Sequence, residues 1–196
     1  MTSSAPPFAE RSDGVVTLRA PSEAEVPVLV AGRDEVFRRF LGDGDPHPWP
    51  TACVVVDGSV VGWVDWDHDR TWLLPDEVNV GYGLAPEARG HGYASRAVRL
   101  LLQHLADDTD WRVATLLIHP ENERSLALAR RLEFESAGDL DGNPYWKREV
   151  PEHTRTATRR ARHRAAADHA AGWELRLVRA RRRSAVRRWA RSRERQ

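Results

Sequence analysis

Arg89-Gly90-His91-Gly92-Tyr93-Ala94 sets two glycines one residue apart, directly before an apolar stripe of helical period. The first turn of a helix leaves several backbone N–H groups unpaired. With no β-carbon at Gly90 and Gly92 an anion can come close to them, so the stretch is a candidate diphosphate cradle. An ordinary strand-to-helix turn, in which glycine is merely convenient, explains the same two residues. Two other phosphate motifs are excluded. A dinucleotide fingerprint wants a third glycine near Ser95, and a P-loop wants Gly-Lys-Ser/Thr, which the chain lacks. Asp65-x-Asp67-x-Asp69 has the opening of a calcium loop, but Arg70 stands where glycine is needed and Asp76 where the bidentate glutamate belongs, so no metal site is expected. Strand alternation sends these three carboxylates to one face, either as solvated acids at a hairpin end or as acids that meet a cationic acceptor.

The elements around the glycines are plainly marked. Val78 to Leu84 alternates like a half-buried strand, Ala85-Pro86-Glu87-Ala88 breaks it, and Ala94, Ala97, Val98, Leu101, Leu102 and Leu105 form one helical stripe with Arg96, Arg99 and Gln103 off it. Upstream, Val15 to Arg19 predicts a short strand, Ser22-Glu23-Ala24-Glu25 has capping-box spacing, and Asp34 to Leu41 predicts a second short helix. Cys53 to Val56, then Asp57-Gly58, then Val60 to Trp66 is the plainest hairpin signal. Downstream, Ala114 to His119 predicts a buried strand parallel to the Val78 strand, because a helix intervenes. Asn122 can cap a helix over Glu123 to Leu132, and two strands follow around Phe134 to Ser136 and Asn143 to Arg148, joined through Asp141-Gly142. Pattern alone gives an α+β domain with a mixed sheet.

Arg89-x-x-Gly92-x-Ala94 resembles the Gln/Arg-x-x-Gly-x-Gly/Ala signature of the GNAT superfamily of N-acetyltransferases, which binds the pyrophosphate of acetyl-CoA. The resemblance extends through Gly81 to Ala88, His119-Pro120-Glu121-Asn122-Glu123-Arg124-Ser125 and Leu132-Glu133-Phe134, covering roughly Val15 to Arg148. Pro-Glu-Asn-x-x-Ser is the wording of the branch that contains the ribosomal-protein alanine acetyltransferases. The resemblance implies a three-layer α/β/α fold around a mixed, mostly antiparallel sheet of about seven strands with about four helices.

It also implies roles. The strands matching Val78 to Leu84 and Ala114 to His119 part in this family, and pantetheine lies between them. Tyr82, Gly83 and Leu84 would then hold pantetheine, and the N–H groups of Arg89, Gly90, His91, Gly92, Tyr93 and Ala94 the pyrophosphate. Asn122 is both helix cap and amide partner of the cosubstrate. Many relatives carry a basic Glu where this chain has Asn79, which accepts no proton. Glu77, on the same face by alternation, is the candidate base, with a solvated carboxylate at a strand start as the alternative. The usual acidic tyrosine is replaced by Ala129, whereas Ser125 matches a serine able to hydrogen-bond the leaving sulfur; it can equally serve only the local backbone.

Charge is split along the 196 residues, whose net charge is +1. Residues 151 to 196 hold 15 Arg, no Lys and 4 acidic residues, net +11; of totals of 30 and 29 this leaves 15 basic and 25 acidic for residues 1 to 150, net −10. The expected organisation is a loose leader over 1–14, an acetyltransferase domain over 15–150 and an Arg/Ala-rich tail over 151–196. The tail has too little apolar surface to fold alone and is read as disordered or partly helical. It is either an arm for RNA or the ribosome, or a solvated segment packing on the acidic domain of its own chain or a neighbour. Cys53 is the single cysteine, and Met1 to Glu10 lacks a signal pattern, so cytoplasm is the default location. The expected activity is acetyl transfer from acetyl-CoA to a primary amine, on a protein N-terminus or a small molecule. The rival is a scaffold that holds acyl-CoA without turnover, or an adaptor acting through the tail. Homodimerisation is left open, and no membrane contact is expected.

Overall fold

The computed structural model describes residues 8–151. Its strands are β1 (Arg11–Ser12), β2 (Thr17–Arg19), β3 (Ala52–Val56), β4 (Ser59–Asp67), β5 (Glu77–Leu84), β6 (Val113–Leu117), β7 (Glu135–Leu140) and β8 (Asn143–Glu149). Its helices are α1 (Val26–Ala31), α2 (Glu35–Leu41), α3 (Tyr93–Asp108) and α4 (Glu123–Arg131). The α+β class, the mostly antiparallel mixed sheet and the GNAT architecture are as the resemblance implies, with eight strands in the order β1-β2-β3-β4-β5-β6-β8-β7.

Both Asp-Gly dipeptides make the turns their sequence demands. Asp57 and Gly58 take φ of 48° and 76°, and Asp141 and Gly142 take 52° and 78°. Positive φ at both central residues matches the twist of paired strands, so each dipeptide closes a tight hairpin, β3 to β4 and β7 to β8. The β5–α3–β6 crossover gives the one parallel pairing among the described residues, because a strand returning through a helix enters in the same direction.

Alternation decides what each face of the sheet meets. Val64, Val78, Val80, Ala114 and Leu116 pack beneath α3 and α4 with Val98, Leu101 and Leu105, all buried. On the opposite face Cys53, Val55, Val60 and Trp63 meet Leu29 of α1 in a smaller cluster. Five of the six stripe residues expected on α3 are buried, Ala94 being half-buried, and Ser95, Leu100 and Ala106 join them, a wider buried arc than an amphipathic surface helix needs. No helix among the described residues is long and apolar enough to cross a membrane.

The N-terminal leader expected over 1–14 is corrected for its second half. Arg11–Ser12 pairs with Leu18 and Thr17, and Arg11 reaches the end of α3, bonding Asp107 at 2.8 Å and also Asp108. Phe8 packs on the ring of His104 at 4.5 Å. Two residues of strand carry no readable period; the ion pair and the ring contact hold them. The tail, beyond Pro151, lies outside the described residues.

Candidate active site

β5 changes partners halfway along its length. Against β4 it pairs from Asp67↔Asn79 to Gly62↔Leu84. Against β6 it pairs only at Glu77↔Val113, Val78↔Ala114 and Asn79↔Thr115. β6 meanwhile stays with β8 as far as Leu117↔Tyr145. The half of β5 from Val80 to Leu84 therefore turns an unladdered edge toward β6, and its outward backbone groups are open to an extended ligand. Thr115 pins the closed end: it is fully buried, and its hydroxyl donates to the carbonyl of Val78 at 3.0 Å. Tyr82, Gly83 and Leu84, expected to hold pantetheine, all lie on the parted half. Beside them a cleft of ≈ 370 Å³ runs between α1, α2 and the ends of β4 and β5, lined by Leu29, Phe37, Trp63 and Leu84 among others.

At the far end of β5 the chain makes one 3₁₀ turn and enters α3 through Gly90 and Gly92, whose φ values are 85° and 80°. Glycine tolerates this left-handed backbone without strain, and a β-carbon at either position would meet nothing within 4 Å, so the loop faces open space. Gly92 is the N-cap of α3 and brings no side chain to it. The first-turn N–H groups thus lack an internal acceptor and point where a diphosphate can be received.

Arg89 behaves differently from its neighbours. Its backbone N–H donates to Pro86 O at 3.3 Å. Its guanidinium grips Asp34 with Nη1 and Nη2 at 2.7 and 2.9 Å and Leu84 O with Nε at 3.1 Å. The open N–H groups therefore begin at Gly90, and Arg89 braces the loop against α2. That brace, with the N–H of Phe37, holds the carboxyl of Asp34 at about 2. His91 and Tyr93 stack, ring centroids 5.4 Å apart.

α4 carries the second group of expected residues. Asn122 Oδ1 accepts from the N–H of Ser125 at 3.1 Å, capping the helix and leaving the amide NH₂ for another acceptor. The hydroxyl of Ser125 receives the phenol of Tyr82 at 2.9 Å, so α4 and the parted half of β5 are joined at this point. Burial pushes the Tyr82 phenol up, against the opposing effect of Ser125. Ala129 is fully buried, so no other residue of α4 supplies a hydroxyl there.

Glu77 is not presented to the gap. It is 2% exposed, with Oε1 bound to Lys147 Nζ at 2.5 Å and Oε2 bound to Tyr145 OH at 2.8 Å and to the N–H of Leu74 at 3.1 Å. Burial would raise its carboxyl, but these bonds outweigh burial and hold it below the usual carboxylate range. The alternative of a solvated carboxylate is equally at odds with this burial. Asp65 also departs from expectation: it is half-buried, takes bonds from the N–H and hydroxyl of Thr51 at 3.1 and 2.7 Å, and is pushed up by burial. Asp67 is bound by Arg70 at 2.8 and 2.9 Å. Asp65, Tyr82 and Asp34 were in plain view in the sequence, but strand register and contacts across distant elements give them their surroundings.

Comparisons with known proteins agree with this geometry. The acetyltransferase (GNAT) domain family matches residues 21–135, more than half of the chain. Solved structures of similar fold include RimL, the ribosomal L7/L12 alpha-N-protein acetyltransferase in complex with coenzyme A, at 19% identity over 71% of this chain and 97% of that one, TM-score 0.57. They also include a GNAT-family acetyltransferase from Bacillus anthracis, at 13% identity over 72% and 99%, TM-score 0.60, and the microcin C7 self-immunity acetyltransferase MccE with acetyl-CoA and AMP, at 15% over 70% and 94%, TM-score 0.56. No curated protein matches significantly by sequence. The extent of the family match decides the identity: the chain belongs to the GNAT acetyltransferase family and is an N-acetyltransferase whose cosubstrate is acetyl-CoA.

Proposed function

We propose that this chain transfers an acetyl group directly to a primary amine, either a protein N-terminus or a small molecule. The observation that carries the reading is the parting of β5 from β6 at Val80, on the strand that leads into the glycine-led start of α3. Acetyl-CoA supplies the acetyl group as an activated thioester. Backbone groups of Tyr82, Gly83 and Leu84 hold the pantetheine arm, and the N–H groups of Gly90, His91, Gly92, Tyr93 and Ala94 receive the pyrophosphate, with Arg89 fixing the loop. An N–H from the parted half of β5 polarises the thioester carbonyl, where it stabilises the charge that develops on oxygen. Ser125 hydrogen-bonds the departing sulfur, and Asn122 holds the turn on which Ser125 stands and offers its amide to the cosubstrate. A lysine ammonium titrates near ~10.4 and a terminal amine near ~8, so a base must also remove a proton. Glu77, ionised and fully bonded, fixes Tyr145 and Lys147 at the closed end of the gap.

Thiol release from acetyl-CoA across a panel of peptide and small-molecule amines tests the reading, with Ser125→Ala beside the wild type. The expected outcome is amine-dependent release, slowed by about 10²-fold in the variant. Cosubstrate binding without release over the whole panel would sink direct transfer and leave a binding scaffold.

A further inference from the structure

The base for this reaction needs a free lone pair at the level where the strands part. Glu77 is buried and committed elsewhere: Oε1 accepts from Lys147, and Oε2 from Tyr145 and the N–H of Leu74. It also stands four residues before Gly81 on β5, about 13 Å away at ~3.3 Å per residue. Asp65 is placed otherwise. It lies in register with Gly81 on the adjacent strand, where neighbouring strands run about 4.8 Å apart. Val64 packs in the core under α3, so alternation sends Trp63, Asp65 and Asp67 to the opposite face, where their register partners are Gly83, Gly81 and Asn79. Gly81 itself puts no side chain between Asp65 and the opening, and the ring of Trp63 lies over Gly81 on this face, 3.5 Å from where its β-carbon would stand.

The carboxylate is also oriented. Oδ1 accepts from Thr51 N at 3.1 Å, Thr51 Oγ1 at 2.7 Å and Trp66 N at 3.0 Å. Three donors on one oxygen fix the rotation of the group, and no donor among the described residues meets Oδ2. The charged groups around it are Asp67 and, acting through space, Arg70, whose guanidinium is engaged by Asp67. Among the described residues no cation is bonded to Asp65, whereas Lys147 is bonded to Glu77. Burial moves the Asp65 carboxyl upward, toward the range where a base is effective at neutral pH.

We propose that Asp65 is the proton acceptor of the acetyl transfer, with Oδ2 taking the proton of the amine nitrogen that faces β5 at Gly81. The assignment rests on the direct-transfer reading above. As the N–C bond forms, the nitrogen gives its proton to Asp65 Oδ2. The C–S bond breaks with its electron pair on sulfur, which Ser125 hydrogen-bonds. Asp65 passes its proton to water, and the thiolate takes one from water, so no oxidant or reductant enters and one proton is moved in balance.

The test measures thiol release against pH for wild type, Asp65→Asn, Asp65→Glu and Glu77→Gln, using an amine the wild type acetylates, with Tm and acetyl-CoA affinity determined in parallel. Asp65→Asn keeps an oxygen for Thr51 and is expected to lower kcat/KM for the amine by about 10²-fold, to remove the acidic limb of the pH profile, and to leave acetyl-CoA affinity unchanged. Asp65→Glu, a displaced carboxylate, should lose rate yet retain that limb, and decides the matter if Asp65→Asn does not fold. Wild-type rates in both Asp65 variants would overturn the assignment, as would loss of the acidic limb in Glu77→Gln alone. A wild type that acetylates no amine removes the transfer reading and Asp65 with it, whereas turnover insensitive to Asp65 removes Asp65 only.

Discussion

The phenol of Tyr82 donates to the hydroxyl of Ser125 across 2.9 Å, linking residues 43 positions apart. A serine that accepts from a tyrosine keeps its own proton for another partner, so this contact directs the Ser125 hydrogen away from the Tyr82 oxygen. Tyr82→Phe is expected to lower kcat by about tenfold, the scale of one well-placed hydrogen bond, with KM for acetyl-CoA little changed. A double-mutant cycle checks the route of the effect: Tyr82→Phe added to Ser125→Ala should cost nothing more. Full additivity would show that Tyr82 acts independently of Ser125.

The Asp34–Arg89 pair connects the start of α2 to the glycine loop that opens α3. Asp34→Asn preserves a side chain able to cap α2 while removing the charge, so it isolates the ion pair. We expect a higher KM for acetyl-CoA and a Tm about 2–4 °C lower at neutral pH, a loss of about 1 kcal/mol for a pair part-screened by solvent. The carboxyl moves from 3.8 to about 2 on folding. Its stabilisation is therefore complete above pH 3.8 and fades as pH falls to 2. Melting curves of the two proteins should converge across that interval; a constant offset down to its acid end would refute the linkage.

Gly62 is fixed by close approach. A β-carbon there would lie 2.2 Å from Gly83 O and 3.0 Å from Leu84 Cα, both backbone atoms of the neighbouring strand. Gly62→Ala must force β4 from β5 and is expected to destabilise by more than about 2 kcal/mol. At Gly81 the same atom would meet only the Trp63 ring at 3.5 Å, ordinary contact, so Gly81→Ala should leave Tm nearly unchanged. Urea denaturation of both variants separates the two cases.

Cys53 is fully buried, and burial with nearby Glu25 pushes its thiol up to about 11. The thiolate is the reactive form, so the native protein should resist a disulfide-exchange reagent at neutral pH and react only as it unfolds. Rapid labelling of folded protein would contradict this burial.

Much of the fold could be read because the deciding interactions are local. Asp57-Gly58 and Asp141-Gly142 carry their turn geometry within two residues, and the α3 stripe declares its buried side at every turn. The open, left-handed turn at Gly90 and Gly92 was legible from the glycines themselves, whereas contacts between side chains across the sheet were opaque. Glu77 finds Lys147 some 70 residues away, and nothing near either residue announces the other. Asp65 shows the same limit: alternation gave its face, but only its register against Gly81 and the bonds from Thr51 distinguish it from Asp67.

The short β5–β6 ladder has a cost outside catalysis. A sheet interrupted in its middle exposes an adhesive seam, since bare amides and carbonyls recruit any extended peptide that can satisfy them. On the proposed function, the coenzyme arm closes that seam as an extra strand would, so coenzyme concentration should govern the shelf life and melting point of the enzyme as well as its rate.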